Sequence, residues 1–134
     1  MRYILAIDQG TTGSRAVVYD RHGRSVASAY CEFPQYFPKP GWVEHDPHEI
    51  WKSVNTCVQK VLKTVSACSI AAIGITNQRE TTIIWDKDTG LPIHRAIVWQ
   101  CRRTAARCDD LKNKKDEADL IKSRTGLPID AYFS

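Results

Sequence analysis

The chain has 134 residues, 43% hydrophobic and 25% charged, the makeup of one ordinary folded domain rather than a disordered or fibrous chain. Its formal charge of +4 is small, and basic and acidic residues are mixed in segments such as "DDLKNKKDEADL", so nothing in it demands nucleic acid as a partner. Its cysteines, Cys31, Cys57, Cys68, Cys101 and Cys108, are odd in number with no CxxC or zinc-finger spacing, and the first apolar stretch is too short for a signal peptide or membrane span; reduced, mostly packed thiols in a cytoplasmic protein are expected.

Tyr3 to Ile7 reads as a buried strand, Arg15 to Tyr19 as its hairpin partner, and Arg24 to Phe33 as a third strand after the turn "DRHG". Together they predict an antiparallel meander. Pro34, Pro38, Pro40 and Pro47 then exclude helix interior and central strand, and Phe33, Tyr36, Phe37 and Trp42 predict an ordered loop that shelters them. Asp46, Pro47 and Glu49 supply an N-cap oxygen, a first-turn proline and an acid three residues after the cap, which is a helix start. Ile50, Trp51, Val54, Val58, Val61, Leu62 and Val65 follow at helical spacing and predict one apolar face laid on the sheet. Ile70 to Thr76 reads as a fully buried, parallel strand, and "TTIIWD" and "IHRAIVW" as two strands joined by the turn "KDTG". Helices are predicted over Arg103 to Leu111 and Glu117 to Ser123, the second stopped by Gly126 and Pro128. Trp51 and Trp85 are expected in the core. The order predicts an α/β fold, a mixed sheet with flanking helices. The sequence stops at "IDAYFS" without a polar tail, so the fold is expected to be incomplete at its C-terminal end.

Two segments carry chemistry. In "DQGTTGSR", Gly10 and Gly13 allow a tight turn whose successive backbone N–H groups face one concavity, while Thr11, Thr12 and Ser14 add hydroxyls. Such a loop cradles phosphate oxygens. It is neither a Walker A loop nor a GxGxxG dinucleotide loop, because it lacks the lysine of the first and leads into a strand. Asp8, at the end of a buried strand, is placed to hold a magnesium ion beside those phosphates, and Arg15 to add positive charge; a plain hairpin explains the same glycines by turn geometry alone. In "GITNQRETTIIWD", Arg79 and Glu80 stand where the buried strand ends. They form either a simple surface ion pair or a polyol grip, in which arginine donates to hydroxyl oxygens and glutamate accepts hydroxyl protons. His45 and His48 lie three apart without a third ligand nearby, and capping or surface exposure is expected of them. Arg102, Arg103 and Arg107 on one helix have the makings of a phosphate or nucleic-acid contact, yet a solvated helix face explains them as well, so no role is assigned to them.

An aspartate-led Gly/Thr loop between two strands near the N-terminus resembles the phosphate loop of the superfamily of sugar kinases, heat-shock chaperones and actin, which implies a ribonuclease H-like, actin-like ATPase fold. Combined with "NQRETT", "PGWVEHDPHEIW", "AIVWQCRR" and "TGLPIDAYFS", the chain from Tyr3 to Ser134 resembles the carbohydrate-kinase family, and within it the glycerol kinases. The resemblance implies phosphoryl transfer from ATP to glycerol with Mg2+ as cofactor. It assigns Gly10, Thr11, Thr12, Gly13 and Arg15 to the nucleotide phosphates, Asp8 to the metal, Arg79 and Glu80 to the glycerol hydroxyls, Trp99 to the glycerol carbon chain and Tyr132 to a hydroxyl. Many members read "DQGTTSSR"; Gly13 replaces the first of those serines, so tuned nucleotide affinity is expected. The family's catalytic aspartate, its adenine pocket and its second domain fall downstream of this sequence. Residues 1–134 therefore read as the N-terminal part of the first domain, inactive alone, of a parent that forms homo-oligomers. Alternatives are a truncated polyol- or nucleotide-binding module and a kinase of another small polyol.

Overall fold

A computed structural model describes residues 2–133. In chain order the strands are β1 (Tyr3–Gln9), β2 (Gly13–Tyr19), β3 (Ser25–Glu32), β4 (Glu44–His45), β5 (Ile70–Asn77) and β6 (Ala96–Ile97); the helices are α1 (Pro47–Val61), α2 (Ala105–Lys112) and α3 (Lys115–Thr125). The backbone gathers into two compact units, one formed by the residues up to 35 with 46–78, the other by 36–45 with the residues from 79 onward.

The first unit is a four-stranded mixed sheet in the order β3-β2-β1-β5, covered on one face by α1. The predicted meander is present: β2 runs antiparallel to both β1 and β3. Asp20 closes its second turn, accepting the N–H groups of His22 and Arg24, with Gly23 at a φ of 75° in the region glycine favours. The backbone hydrogen bond from Arg24 holds the Asp20 carboxyl below its ordinary pKa. Along β2 the period of two sends Ser14, Ala16 and Val18 to the helix side, where Leu5 joins Cys57, Val61 and Val65 in the core. Burying a side chain as large as Leu5 or Val61 contributes about 1.5–3 kcal/mol.

Helix α1 starts as its residues dictate. The Asp46 carboxylate accepts the His48 N–H at 2.8 Å, and Pro47 occupies the first turn, where no N–H is needed. Its buried stripe is Ser53, Cys57 and Val61, narrower than the predicted face and centred on small residues that let the helix approach the sheet. Trp51 is 66% exposed, not core, because two residues from Ser53 is a rotation of about 200° around the helix. β5 is parallel to β1 as predicted, with Ile73 opposite Leu5 and Ile75 opposite Ile7, yet these two isoleucines are 59% and 73% exposed. The expectation of full burial fails because α1 packs on β2 and β3 and reaches only as far as β1.

In the second unit β4 pairs antiparallel with β6, and Val43, Val98 and Cys101 form a small core with Trp42, Ile97 and Trp99 packed against it. The predicted pair of strands over 81–99 is instead a loosely zipped hairpin. Thr82 and Ile97 exchange two 2.9 Å hydrogen bonds, Ile93 donates to the Ile84 carbonyl, and Trp85 bridges Pro92, which has no N–H to extend the ladder. Its turn is the one expected: the Asp86 carboxylate accepts the Thr89 N–H and hydroxyl, and Gly90 adopts a φ of 69°. Trp85 is exposed rather than core, as are Ile84, Leu91 and Ile93. Phe37 is also exposed, so the proline-rich segment buries Phe33 and partly covers Tyr36 and Trp42 but leaves that ring in solvent. α2 and α3 pack on each other, and Gly126, at a φ of 71°, ends α3 where predicted. All five cysteines are free thiols, with Cys57 and Cys101 buried. Among the described residues no helix is long and apolar enough to cross a membrane.

Candidate functional site

In the first unit β1 carries Asp8 directly opposite Arg15 of β2, and Arg15 stands opposite Tyr30 of β3. Paired residues share a face, so the three side chains form a row on the side of the sheet turned away from α1. The chain between β1 and β2 is held from behind. The Gly10 carbonyl accepts the Gln9 side chain at 2.7 Å, the Thr11 carbonyl accepts Gln35 at 3.0 Å, and the Thr12 carbonyl accepts the Phe33 N–H at 3.4 Å. In a planar trans peptide the next N–H points opposite to the carbonyl, so the Thr12 and Gly13 amides turn away from Gln35 and Phe33. Two successive amides on one side, beside the Thr12 hydroxyl, can hold an anion.

Two expectations for this loop change. The Gly10 N–H donates to the Gly13 carbonyl at 2.9 Å and is used inside the loop. Ser14 points to the helix side, its hydroxyl buried 2.7 Å from that of Ser53 and its carbonyl accepting the Cys57 thiol, because it is one residue out of phase with Arg15. Gly13 itself does not use a left-handed φ. It is required for room: a Cβ there would lie 2.6 Å from the Tyr30 hydroxyl and 2.7 Å from the Cys31 carbonyl oxygen. Tyr30, which sequence reading missed, brings its hydroxyl 3.3 Å from that of Thr12, and the Arg15 guanidinium lies 5.7 Å from its ring centre. The hairpin register set by the turn after Tyr19 was the signal that could have found it. Asp8 is exposed at the strand end and offers hard carboxylate oxygens, which fits a magnesium ion.

In the second unit Glu80 has a φ of 61°, a left-handed backbone that costs a non-glycine residue about 1–3 kcal/mol and that clusters at functional sites. Glu80 and Trp99 line one cavity of about 340 Å³, with Cys101, Arg103 and Phe133 among its other walls. Trp99 is half-buried against the Val43, Val98 and Cys101 core, and its backbone N–H donates to the Thr81 hydroxyl at 3.4 Å. Tyr132 meets it edge-on, ring centres 5.4 Å apart. Glu80 and Trp99 thus share a wall and Tyr132 packs on Trp99, whereas neither Tyr132 nor Arg79 is on the cavity wall, and Arg79, like Glu80, is exposed. Tyr132 is anchored by Asp130, whose carboxylate accepts both the Tyr132 N–H at 2.9 Å and Arg102 at 2.7 Å. The hydrogen bond from Arg102 keeps the Asp130 carboxyl below its ordinary pKa.

The arginine run is not a solvated helix face. Arg102 and Arg103 precede α2, and only Arg107 is exposed on it. The Arg103 guanidinium donates to Glu44 at 2.6 Å and to the Cys101 sulfur at 3.0 Å, and lies 3.9 Å from the centre of the Trp42 ring. Burial presses the Cys101 thiol pKa upward, and the hydrogen bonds it receives, led by that of Arg103, outweigh this and hold it below its ordinary value. His45 is fully buried rather than surface-exposed, and burial pushes its pKa down to about 4. His48 is exposed, its amide used in the cap.

The sequence model for the N-terminal domain of the FGGY family of carbohydrate kinases matches residues 3–134. The chain is 59% identical to the glycerol kinase of Alkaliphilus metalliredigens over 99% of its own length and 27% of that protein. It is 57% identical to glycerol kinase 2 of Thermotoga maritima, with 100% and 27% covered. Among solved structures it is similar to Plasmodium falciparum glycerol kinase with ADP, at a TM-score of 0.90 and 37% identity, covering 100% of this chain and 27% of that one. It is also similar to a ligand-bound xylulose kinase from Lactobacillus acidophilus, at a TM-score of 0.90 and 29% identity, covering 98% and 26%. The chain therefore spans about 27% of the length of the curated relatives it matches. The mixed α/β structure, with its mixed sheet and the three helices α1, α2 and α3, is the N-terminal part of the actin-like ATPase fold of these sugar kinases. The chain belongs to the FGGY family of carbohydrate kinases.

Proposed function

We propose that this chain is the N-terminal part of the first domain of a glycerol kinase, which transfers the terminal phosphoryl group of ATP to glycerol and yields sn-glycerol 3-phosphate and ADP. The observation that carries the reading is the second unit's cavity, where the strained Glu80 and the half-buried Trp99 share a wall and Tyr132 packs on Trp99. A carboxylate, an apolar ring face and a phenol are what a small polyol needs: acceptors for its hydroxyl protons and a flat surface for its carbons. The identity to glycerol kinases favours glycerol over a longer polyol.

In this reading Glu80 and Arg79 hold adjacent glycerol hydroxyls, Trp99 covers the carbon chain and Tyr132 bonds a further hydroxyl. Thr11, Thr12 and the amide of Gly13 hold phosphate oxygens, with Gly10 keeping the turn tight and Arg15 adding charge. Asp8 holds Mg2+, which supplies charge neutralisation at the phosphates when bound. Phosphoryl transfer depends mainly on such positioning and neutralisation. Because the chain spans about 27% of such a kinase, the transfer is the work of the full-length enzyme, to which this part brings its polyol and phosphate contacts. The parent enzyme is cytoplasmic and homo-oligomeric.

The test is steady-state kinetics of the full-length protein that carries this chain. Glycerol-dependent ADP formation is expected, and Glu80→Ala should raise the KM for glycerol about tenfold or more while leaving that for ATP unchanged. A kcat/KM higher for a pentulose than for glycerol, or an unaltered glycerol KM in the variant, would overturn the reading.

A further inference from the structure

The sheet face that presents Asp8 and Arg15 also carries Ser28, Tyr30, Glu32 and Thr76, and of these Tyr30 is the one whose side chain touches the loop. Register places Tyr30 opposite Arg15 and diagonal to Gly13, on the same face. From there its ring reaches over position 13, so that its hydroxyl and terminal ring carbon lie 2.6 Å and 2.7 Å from where a Cβ would be. It ends 3.3 Å from the Thr12 hydroxyl. The space that a side chain at position 13 would fill is thus occupied by a phenol delivered from the neighbouring strand, and the missing side chain is the condition for its reaching the loop.

A threonine hydroxyl has one proton and two lone pairs, and its proton rotates to suit its neighbours. An exposed Thr12 without a fixed partner would turn that proton to water. When the Tyr30 phenol donates to Thr12 Oγ1, one lone pair is taken and the threonine proton is directed elsewhere, toward the side on which the Thr12 and Gly13 amides also point. The Arg15 guanidinium, 5.7 Å from the ring centre, draws on the negative face of the same ring and helps keep it over the loop.

We propose that Tyr30 is a positioning residue of the phosphate loop, orienting the Thr12 hydroxyl to donate to a phosphate oxygen of the bound nucleoside triphosphate. The proposal rests on the reading of Gly10 to Gly13 as a phosphate loop and adds to it a residue from another strand.

The experiment is a double-mutant cycle in the full-length protein, with Tyr30→Phe, Thr12→Val and the pair, reading KM for ATP, KM for glycerol and the thermal midpoint. Tyr30→Phe keeps the ring and removes only the hydroxyl. It is expected to raise the KM for ATP about fivefold with the glycerol KM and the midpoint unchanged, and to add nothing in the Thr12→Val background. If Thr12→Val weakens ATP and Tyr30→Phe does not, Tyr30 is no part of the site and the loop reading stands. If neither variant moves the KM for ATP, the loop reading itself fails. A Tyr30→Phe effect that persists unchanged in the Thr12→Val background, or that comes with a lowered midpoint, would equally overturn positioning through Thr12.

Discussion

At the scale of single residues, burial decides more than residue type. His45 reads on paper as a surface or capping histidine beside a helix start, yet it is fully buried with its pKa pushed down to about 4. An unfolded histidine has an ordinary value of 6.5, so the folded state favours the neutral ring. Its contribution is complete above pH 6.5, and it is lost as the pH falls toward 4, where the unfolded chain binds a proton that the folded chain refuses. Urea unfolding of the full-length protein at pH 7 and pH 4.5 is expected to show about 2 kcal/mol less stability at the lower pH from this group. His45→Asn should flatten that part of the pH profile, and an equal slope in both proteins would remove His45 from the account. The same lesson holds at Gly13, where a turn residue on paper proves to be a packing residue beneath Tyr30 and the Cys31 carbonyl.

At the scale of elements, what sequence could announce was whatever depends on neighbours in the chain. The Asp46 and Pro47 start of α1, the turn at Asp86 to Gly90, the Gly126 stop and the alternation along β2 are all local, and all are present. What failed depended on partners distant in sequence. Ile73 and Ile75 have the pattern of a buried strand, but burial needs a cover that α1 supplies only to β1, β2 and β3. Likewise "TTIIWD" has strand composition, and Pro92 across from Trp85 prevents a continuous ladder. Of the candidate site, Glu80, Trp99 and Tyr132 were legible through family resemblance, whereas Tyr30 and Arg103 required register and a contact spanning 59 positions. Arg103 gives the element-scale prediction. Its pair with Glu44 is nearly out of water, the side chains 14% and 6% exposed, so removing one partner strands the other. Arg103→Met is expected to lower the stability of the full-length protein by about 3–5 kcal/mol in urea titration, and Arg103→Met with Glu44→Met by much less. Equal losses in the two would mean that the Trp42 contact, not the ion pair, sets the cost.

At the scale of the whole molecule, β5 is an edge strand among the described residues, with one side paired to β1 and two isoleucines in solvent. Unpaired backbone beside exposed branched side chains is a template for another strand. The 134-residue chain by itself is therefore expected to self-associate with rising concentration, and Ile75→Lys to suppress this. Light scattering over a dilution series checks it, and a monodisperse wild-type chain would count against the edge as the cause. The two units also divide the sequence in an alternating way, since 36–45 belongs to the second unit but lies between the two parts of the first. On the ribosome, β4 therefore emerges long before β6, and Glu44 is made 59 residues ahead of Arg103. At roughly 5–20 residues per second that delay lasts about 3–12 s. For that interval the nascent chain carries Trp42, Glu44 and His45 without the strand and the arginine that later enclose them, while the first unit's sheet and helix are already being completed around the gap in its sequence.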